Sequence, residues 1–400
     1  MSKIMAVNAG SSSLKFKLFE MPEEKVICSG IADRIGHEDA IFAIKPAGKE
    51  KNETICSIPD HAVAVEMLLE ALIDEGIVSS LDEIKGVGHR IVQGGAYFSH
   101  SEIFDKKVEE KIESLIPLAP LHNGAHLIGY RAFRDALPNV KNVAVFDTAF
   151  HQTMEPEDYM YACPYEYYEK YAVRRYGAHG TSHLYLSQKA EAYLKEGSKR
   201  RVISCHIGSG ASLCAIKDGK CVATSMGLTP LAGVMMGTRT GDIDGSVMPY
   251  LVKQTGKDAE TIYQEFNKKS GLLGISGVSN DTRDIEKAAS EGNERAILAT
   301  KMFARRVADY IGQYFVRLGG CDLIVFSAGI GENSEYFRKK ILEQCSEALG
   351  LVIDQELNNV TIKGKEGLIS TSESKIPVVV IPTDEEVMIA RDVVSLVKPK

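Results

Sequence analysis

Two arginines lie where the chain turns and could bind phosphate or carboxylate groups. Arg90 ends a glycine-rich strand, and Arg239 lies in the glycine-containing loop 236–244. A guanidinium group holds a carboxylate or a phosphate through a planar fork of hydrogen bonds, so two such arginines suit a site that joins one group to the other. For either residue alone, the alternative is an exposed or ion-paired arginine with a structural role.

Histidines form a second class of candidate. His179 lies in the glycine-containing segment 176–183, and His122 follows Pro120 and Leu121. Neither pair of nearby histidines combines helical metal-ligand spacing with a third ligand, so zinc is disfavoured here. A histidine that donates a hydrogen bond to a transferring phosphoryl group is the more specific interpretation.

Carboxylates occur at two further strand ends. Asp147 directly follows the apolar run 143–146, a position from which α/β proteins commonly present catalytic groups, and its alternative is a turn aspartate that caps the next segment. Thr383 and Glu386 fit the first and last positions of a helix capping box, which leaves Glu385 to face a cation. Phosphoryl transfer requires Mg²⁺ held by one or two carboxylates and by substrate phosphates.

A small-residue turn occurs twice in the chain. The segment 7–14 (VNAGSSSL) is echoed half a chain later by 205–213 (CHIGSGASL). In each copy a glycine- and serine-rich turn lies between two short apolar runs. This pattern predicts two strand–turn–strand units, one in each half of the chain. Backbone amides of such turns bind anions, so the copies are candidate phosphate-holding hairpins, with two unrelated glycine hairpins as the alternative.

A third glycine-rich turn, residues 327–334, follows the strand that Phe326 closes and precedes an amphipathic helix. Its backbone amides could approach a nucleotide, and an ordinary strand-to-helix turn is the alternative. The chain has no Gly-x-x-x-x-Gly-Lys-Ser/Thr P-loop and no Gly-x-Gly-x-x-Gly after its first strand. These absences disfavour a P-loop kinase and a dehydrogenase.

The elements that position these residues alternate between strands and helices, which predicts an α/β fold. The clearest helix carries apolar residues at helical spacing between Ile297 and Leu318 and stops at Gly319. A length of 400 residues favours two domains. We predict an N-terminal domain at 1–150, joined by a C-terminal helix at 385–400, and a second domain at 151–384, with the proline- and tyrosine-rich stretch 155–171 near the boundary.

Composition excludes several classes of function. There are 47 Lys and Arg residues against 54 Asp and Glu, a net charge of −7, which is the wrong sign for binding nucleic acid or an anionic membrane. The eight cysteines include no Cys-x-x-Cys pair, so a disulfide framework or a zinc site is not expected. The N-terminus lacks the pattern of a signal peptide, and no apolar run has membrane-spanning length, so we expect a cytoplasmic protein.

Four strings together resemble the acetate kinase family: 8–15 (NAGSSSLK), 174–183 (RRYGAHGTSH), 236–244 (MGTRTGDID) and 329–333 (GIGEN). The similarity runs from the first strand to 382–386 (PTDEE) and covers essentially the whole chain. It implies two duplicated actin-like (ribonuclease H-like) domains with an active-site cleft between them. It also implies a homodimer that reversibly transfers the γ-phosphoryl group of ATP to acetate, giving acetyl phosphate and ADP, with Mg²⁺ or alternatively Mn²⁺.

The resemblance assigns roles to individual residues of this sequence. The implied catalytic residues are Arg90, Asp147, His179 and Arg239. The implied phosphate hairpin comprises Asn8, Ser11 and Ser13, and the implied metal ligands are Asn8 and Glu385. The implied nucleotide-binding residues are Lys15, Gly208, Ser209, Gly210, Asp281, Arg283, Gly329, Ile330 and Asn333. The implied substrate-binding residues are Arg90, Val92, Leu121, His122, Ala178 and Pro230.

Three positions depart from the family's pattern. Ala178 stands where Phe is usual, Ser209 where Asn is usual, and Gly245 where Pro is usual. A methyl group in place of a ring at the substrate wall makes a propionate or other short-chain carboxylate kinase the same-class alternative. A non-catalytic, nucleotide-switched interaction protein is the alternative from a different class, and it would not need the full set of arginines, histidine and carboxylate.

Overall fold

Strands and helices alternate along the chain, as its apolar periodicity predicts. The computed structural model describes residues 2–397. The strands are β1 (Ser2–Ala9), β2 (Ser13–Met21), β3 (Lys25–Asp33), β4 (His37–Pro46), β5 (Asn52–Ile58), β6 (Ile84–Ile91), β7 (Glu102–Ile103), β8 (Lys141–Phe146), β9 (Arg201–Ile207), β10 (Ala211–Lys217), β11 (Lys220–Thr224), β12 (Leu323–Ser327), β13 (Gly367–Leu368) and β14 (Val378–Val380).

The helices lie between these strands and after the last one. They are α1 (His61–Asp74), α2 (Lys106–Ser114), α3 (Asn123–Ala136), α4 (Pro156–Tyr159), α5 (Tyr165–Tyr171), α6 (Gly180–Ala190), α7 (Val247–Thr255), α8 (Ala259–Lys268), α9 (Gly271–Ser276), α10 (Thr282–Ser290), α11 (Glu294–Leu318), α12 (Ala328–Asn333), α13 (Glu335–Leu349), α14 (Gln355–Val360) and α15 (Glu385–Val397). No helix within residues 2–397 combines the length and apolar character that crossing a membrane requires.

The chain divides into two units. Within the described residues, the N-terminal unit comprises 2–149 and 384–397, and the C-terminal unit comprises 150–383. The sequence predicts that the domains end at residues 150 and 384, one residue after the observed divisions. The stretch 155–171, predicted to lie near the boundary, is inside the C-terminal unit. The last three residues of the predicted helix 385–400 lie outside the described residues.

The N-terminal unit is built on one mixed sheet with the order β5-β4-β3-β2-β1-β6-β8-β7. Strands β1 to β5 form an antiparallel meander, and β6 and β8 continue the sheet in parallel with β1. Helix α15 packs closely on β6 because Gly86 and Gly88 carry no side chain: a Cβ at Gly88 would lie 2.3 Å from Ile389. Successive side chains of a strand point to opposite faces, and His89 accordingly packs on the α3 side, 5.5 Å from the ring of Phe133.

The C-terminal unit repeats this architecture with the order β11-β10-β9-β12-β14-β13. Strands β9 to β11 are antiparallel, and β12 runs parallel to both β9 and β14. The long helix α11 buries Phe303, Val307 and Ile311 in the main apolar core, and it ends at Gly319, whose φ of 65° terminates the helix as predicted.

The two sheets share one strand order. The segment β3-β2-β1-β6-β8 of the N-terminal sheet corresponds to β11-β10-β9-β12-β14 of the C-terminal sheet: in both, three antiparallel strands are followed by two strands parallel to the first. The repeated small-residue segments form the turns between β1 and β2 and between β9 and β10. The predicted duplicated α/β fold is therefore confirmed, and the two glycine hairpins are equivalent elements.

The predicted capping box at the start of α15 is wrong. The Asp384 carboxylate, not the Thr383 hydroxyl, accepts the backbone N–H of Val387 at 3.0 Å. The backbone N–H of Thr383 donates to Glu332 and not to Glu386, whose carboxylate lies 3.2 Å from Lys17 Nζ on β2. The helix begins one residue later than the box requires, so Glu385 is its first residue.

Candidate active site

Arg90 and Asp147 form the polar centre of the N-terminal unit. Arg90 Nε and Nη2 donate to the two oxygens of Asp147 at 2.7 to 3.1 Å, and only 1% of the Asp147 side chain is exposed. Burial lowers the pKa of Arg90, but the charges of Asp147 and Glu385 outweigh it, so the net pKa is raised. Asp147 thus holds one edge of the guanidinium, and the end-on edge that includes Nη1 points away from this pair.

Sheet register explains why these two residues meet. Strands β6 and β8 are parallel and pair Arg90 with Val145. Residues two apart on a strand share a face, so Asp147 comes to lie beside Arg90 just past the strand end. Glu385 joins them from α15, because that helix is packed tightly on β6. Burial raises the pKa of Glu385 to about 7, with Arg90 opposing and Asp147 adding to the shift.

A cavity of about 340 Å³ brings several predicted residues of the N-terminal unit together. Its lining includes Asn8 on β1, Lys15 on β2, and both Arg90 and Glu385. The other two predicted hairpin residues, Ser11 and Ser13, are not part of this lining. Ser11 lies in the turn and Ser13 begins β2, and the Gly10 N–H closes the turn by donating to the Ser13 carbonyl at 2.7 Å.

The donor atoms of this cavity suit a hard divalent cation. The amide oxygen of Asn8 and the carboxylate of Glu385 are oxygen ligands of the kind that Mg²⁺ prefers. Both oxygens of Asp147 already accept hydrogen bonds from Arg90. The chemistry of the donor set therefore fits the predicted metal, with Asp147 engaged by the arginine.

The other substrate-binding residues predicted in the N-terminal unit do not line this cavity. Val92 is buried just after β6, Leu121 is 46% exposed, and His122 precedes α3. The ring of His122 lies 6.4 Å from that of His126, whose Nδ1 donates to the carbonyl of Ala9 at the end of β1 at 2.8 Å. Sequence reasoning missed His126, although its spacing of four residues from His122 on a helix was a usable signal.

His179 lies at the start of α6 in the C-terminal unit. Its φ of 58° places a non-glycine residue in the left-handed region, a conformation that costs energy and is concentrated at functional sites. The ring is held from two sides, because Nδ1 bonds Ser212 Oγ at 2.9 Å and the ring stacks on His206 at a centroid distance of 4.1 Å. The fold therefore supplies a fixed imidazole at this position.

A serine and histidine network behind His179 was missed by sequence reasoning. Ser212 Oγ also contacts His183 Nε2 at 2.8 Å, and His183 Nδ1 contacts Ser204 Oγ at 2.6 Å. Burial, reinforced by neighbouring histidines, lowers the pKa of His183 well below its usual value, so this ring is neutral. The one sequence signal was Ser212 in the second small-residue segment.

Arg239 differs from Arg90 in its surroundings. Its Nη1 is 3.4 Å from the Pro230 carbonyl, and no carboxylate of the described residues lies within ion-pair distance of its guanidinium. Burial lowers its pKa, which reflects a cation held without a compensating charge. A Cβ at Gly210 would lie 3.3 Å from Nη1 and 3.7 Å from the His179 ring, so the second hairpin leaves room for both groups. This is a setting that favours a bound anion.

Most of the predicted nucleotide-binding residues line one cavity of about 540 Å³ in the C-terminal unit. They are Ser209, Asp281, Arg283, Gly329, Ile330 and Asn333. Gly208 and Gly210 lie beside Ser209 in the hairpin, where Gly208 N–H donates to the Gly210 carbonyl at 3.1 Å. Lys15 belongs to the other unit.

The walls of this cavity are held by local bonds. Asp281 caps α10 through the Arg283 N–H at 2.9 Å and also accepts from Arg283 Nε, which lowers the pKa of its carboxyl to about 2. Glu332, in the predicted turn, accepts the backbone N–H groups of Ala328 and Thr383 at 2.7 and 3.0 Å. Sequence reasoning gave Glu332 no role, but it clamps the glycine turn to the segment after β14.

Ala178 and Pro230 complete the predicted residues of the C-terminal unit. The Ala178 side chain is only 3% exposed and packs in the main apolar core, while its carbonyl accepts a hydrogen bond from His151 Nε2 at 2.9 Å. Pro230 offers its carbonyl to Arg239. The role of Ala178 in acyl-chain choice stays a prediction.

Comparison with known proteins agrees with this arrangement over the full chain. The Acetokinase family model matches residues 3–391. The chain is 55% identical over 397 residues to the acetate kinase of Geobacillus sp. (strain WCH70), and the match covers 99% of each chain.

Two solved structures are also similar. The crystal structure of Porphyromonas gingivalis acetate kinase has a TM-score of 0.94 and 45% identity and covers 100% of both chains. The crystal structure of a propionate kinase from Francisella tularensis subsp. tularensis SCHU S4 has a TM-score of 0.92 and 39% identity, covering 99% of this chain and 100% of that one.

Two duplicated α/β units, one with Arg90 at a strand end and the other with Arg239 in a glycine-containing loop, form an arrangement suited to a phosphotransferase. The full-length matches then specify which one: the chain belongs to the acetokinase family. It is accordingly an enzyme whose phosphoryl acceptor is a carboxyl group.

Proposed function

We propose that this enzyme is an acetate kinase that reversibly transfers the γ-phosphoryl group of ATP to acetate, giving acetyl phosphate and ADP. The observation that carries the proposal is the contrast between its two arginines. Arg90 is fixed in place by Asp147, whereas Arg239 has no carboxylate partner among residues 2–397. In a reaction between a carboxylate and a phosphate both reacting groups are anions, so Arg90 and Arg239 each have an anionic group to bind.

The N-terminal unit orients one anion. Asp147 occupies the Nε edge of Arg90, so the end-on edge binds the carboxylate or the transferring phosphoryl group through parallel hydrogen bonds. Acetate is already ionised at neutral pH, and no general base is needed to activate its oxygen. Asp147 therefore acts as an orienting residue for Arg90 and not as a proton acceptor.

The C-terminal unit stabilises the charge that spreads over the phosphoryl oxygens during transfer. Arg239 supplies an uncompensated positive charge, and His179 donates from Nε2 while Ser212 holds Nδ1. The nucleotide base and ribose occupy the cavity lined by Asp281 and Gly329. Each of these groups is held by its unit before substrate binds, which reduces the reorganisation that the transition state requires.

Mg²⁺, or Mn²⁺ in its place, is the proposed cofactor, with Asn8 and Glu385 as its protein ligands. When bound, the ion neutralises charge on the nucleotide phosphates and helps to orient them. Lys15 lines the same cavity and adds a second positive charge on the phosphate side.

Trapping of the activated product tests the reaction class. Purified protein is incubated with ATP, MgCl₂, hydroxylamine and acetate, and the expected product is acetyl hydroxamate that requires all four components. The Arg239→Ala variant should form almost none, whereas Arg306→Ala, which removes an exposed arginine of α11, serves as the matched control and should remain active. ATP hydrolysis without hydroxamate would contradict the proposal.

Propionate is the second candidate substrate, supported by Ala178 and by the similarity to a propionate kinase structure. The same trapping assay with acetate, propionate and butyrate ranks the acceptors. A preference for propionate over acetate would favour this alternative and keep the reaction class.

The proposed setting is the cytoplasm, and the proposed assembly is a homodimer. All eight cysteines are free thiols, which suits a reducing compartment. Exposed aromatic and apolar side chains on the C-terminal unit, including Tyr165, Tyr250 and Val316, provide surface for self-association. Light scattering at several protein concentrations measures the assembly.

A further inference from the structure

A cluster of soft ligands lies within the C-terminal unit, apart from the residues assigned to catalysis. His151 comes from the turn that follows β8, Cys214 lies on β10, and Cys221 lies on β11. All three side chains are at most 1% exposed. The thiols are brought together because β10 and β11 form an antiparallel hairpin, so their separation in sequence contains no Cys-x-x-Cys signature.

The three ligand atoms already have nearly the spacing of a metal site. His151 Nδ1 is 3.2 Å from Cys221 Sγ, the two sulfurs are 3.4 Å apart, and all three atoms lie within 4.8 Å of one another. Tetrahedral zinc with bonds of about 2.3 Å to sulfur and about 2.0 Å to nitrogen separates two sulfurs by about 3.8 Å and nitrogen from sulfur by about 3.6 Å. Two of the three separations need to change by only a few tenths of an ångström to accept the ion, and the third, between His151 Nδ1 and Cys214 Sγ, is within 4.8 Å.

The atoms around the cluster orient it as a metal site requires. His151 Nε2 donates to the Ala178 carbonyl at 2.9 Å, which leaves Nδ1 as the nitrogen whose lone pair faces the sulfurs. Metal-binding histidines characteristically donate their second N–H to a carbonyl or carboxylate in this way. Thr153 Oγ1 donates to the Cys221 carbonyl at 2.7 Å and ties the turn to β11.

Other buried thiols of this unit have different surroundings. Cys345 faces the carbonyls of Ile341 and Leu342 on its own helix, and Cys321 lies nearest the carbonyls of Arg201 and Leu323. Neither has a second thiol or an imidazole as a hydrogen-bond partner. Cys205 is also buried and lies near Cys321 and Cys345, but within residues 2–397 only the hairpin thiols Cys214 and Cys221 form a ligand group with an imidazole.

The geometry points to a binding site for one thiophilic d¹⁰ cation, of which Zn²⁺ is the common example, on His151 Nδ1, Cys214 Sγ and Cys221 Sγ. Two thiolates and one imidazole are the ligand set that selects such ions over Mg²⁺. Each thiol releases its proton to solvent when the metal–sulfur bond forms, and no oxidant is needed. A small exogenous ligand such as water would complete four-coordination.

Cadmium, which binds thiolates as zinc does, is the probe. The reduced full-length protein is equilibrated with Cd²⁺ under anaerobic conditions, and the ultraviolet thiolate-to-cadmium charge-transfer band is titrated. We expect one strongly bound equivalent per chain, at least 100-fold weaker binding in Cys214→Ser and in Cys221→Ser, and unchanged binding in Cys345→Ser. Absence of the band, or equal binding by all variants, would overturn the proposal.

A second measurement does not depend on the variants folding. Wild-type protein loaded with Zn²⁺ and freed of excess metal is examined by X-ray absorption at the zinc edge. A first shell with two sulfur atoms and at least one nitrogen supports the site. A shell of nitrogen and oxygen alone, or isolation of the protein with a Cys214–Cys221 disulfide that excludes zinc, would refute it.

Discussion

Replacing Asp147 by Asn tests whether the carboxylate orients Arg90. In the native protein both Asp147 oxygens accept from Arg90 Nε and Nη2 at 2.7 to 3.1 Å, and the side chains of Asp147 and Arg90 are 1% and 23% exposed. The asparagine keeps one oxygen, but its NH₂ group then faces an N–H of the guanidinium. One charge-assisted hydrogen bond is lost, a change of about 1.5 to 3 kcal/mol.

If the lost hydrogen bond leaves Arg90 misoriented when acetate binds, the whole energy appears in catalysis. The value of kcat/KM for acetate should then fall about 10- to 150-fold, since about 1.4 kcal/mol corresponds to a factor of ten. The assay is steady-state acetyl phosphate formation at saturating ATP, with the Mg²⁺ dependence measured separately. The Mg²⁺ concentration for half-maximal rate should change little, because both Asp147 oxygens serve the arginine. Thermal melts check that the variant is folded.

Asp322→Asn is the matched control. Asp322 accepts from Arg201 Nε and Nη2 at 3.0 and 2.8 Å, a pair of the same geometry for which no catalytic role is proposed. Its activity should stay within about twofold of the native value. An Asp147→Asn enzyme with native kcat/KM would refute the orienting role, and one with a raised Mg²⁺ requirement alone would make Asp147 a metal ligand.

Three further predictions concern single residues. Arg239→Lys should lose most activity in the trapping assay, because an ammonium group cannot form the planar fork, and near-native turnover would contradict that role. In the native enzyme kcat/KM for propionate and acetate should differ by no more than about tenfold, and Ala178→Phe should lower the value for propionate relative to acetate if Ala178 shapes the acyl pocket. An unchanged ratio in a variant with the native melting temperature would show that Ala178 does not determine specificity. When pH is lowered from 7.5 to 5, the unfolding free energy measured by urea denaturation should fall less in His89→Gln than in the native protein.

The sign and size of the His89 effect follow from its burial. Burial lowers its pKa to about 4, and the hydrogen bond to Asn142 only partly opposes this. The unfolded chain, with a pKa of about 6.5, therefore binds the proton first as pH falls, so stability is complete above about pH 6.5 and declines toward pH 4. At pH 5 the loss from this residue is about 2 kcal/mol, and an identical loss in His89→Gln would show that other groups account for it.

Local pattern was enough to predict the elements and their repetition. Runs of apolar residues flanked by small-residue turns specify strands and hairpins through short-range geometry, so the segments 7–14 and 205–213 could be matched from sequence. Gly319 stops α11 for an equally local reason, its left-handed backbone. The capping box at Thr383 failed because the competing cap, Asp384, is one residue away, and local pattern does not rank two adjacent acceptors.

Residue type and position also nominated Arg90, Asp147 and Arg239, because a charged side chain beside a glycine-rich turn or just past a buried strand is placed to contact a substrate. What each arginine binds was decided only by the tertiary structure. The parallel register of β6 and β8 places Asp147 beside Arg90, while the loop around Arg239 brings no carboxylate of the described residues to it. Strands β6 and β8 are parallel and separated in sequence by α2 and α3, so no tight turn fixes their relative register, which is set when these segments pack together.

The same reason accounts for the residues that sequence reasoning missed. Ser212 bridges His179 and His183 because α6 lies against β9 and β10, and Cys214 meets Cys221 and His151 because a hairpin folds beside a turn from another part of the chain. Sequence determined which chemical groups the protein possesses and the strands and helices that carry them. Tertiary structure alone decided which groups touch, because hydrogen bonds and metal sites form only between atoms a few ångströms apart, whatever their distance along the chain.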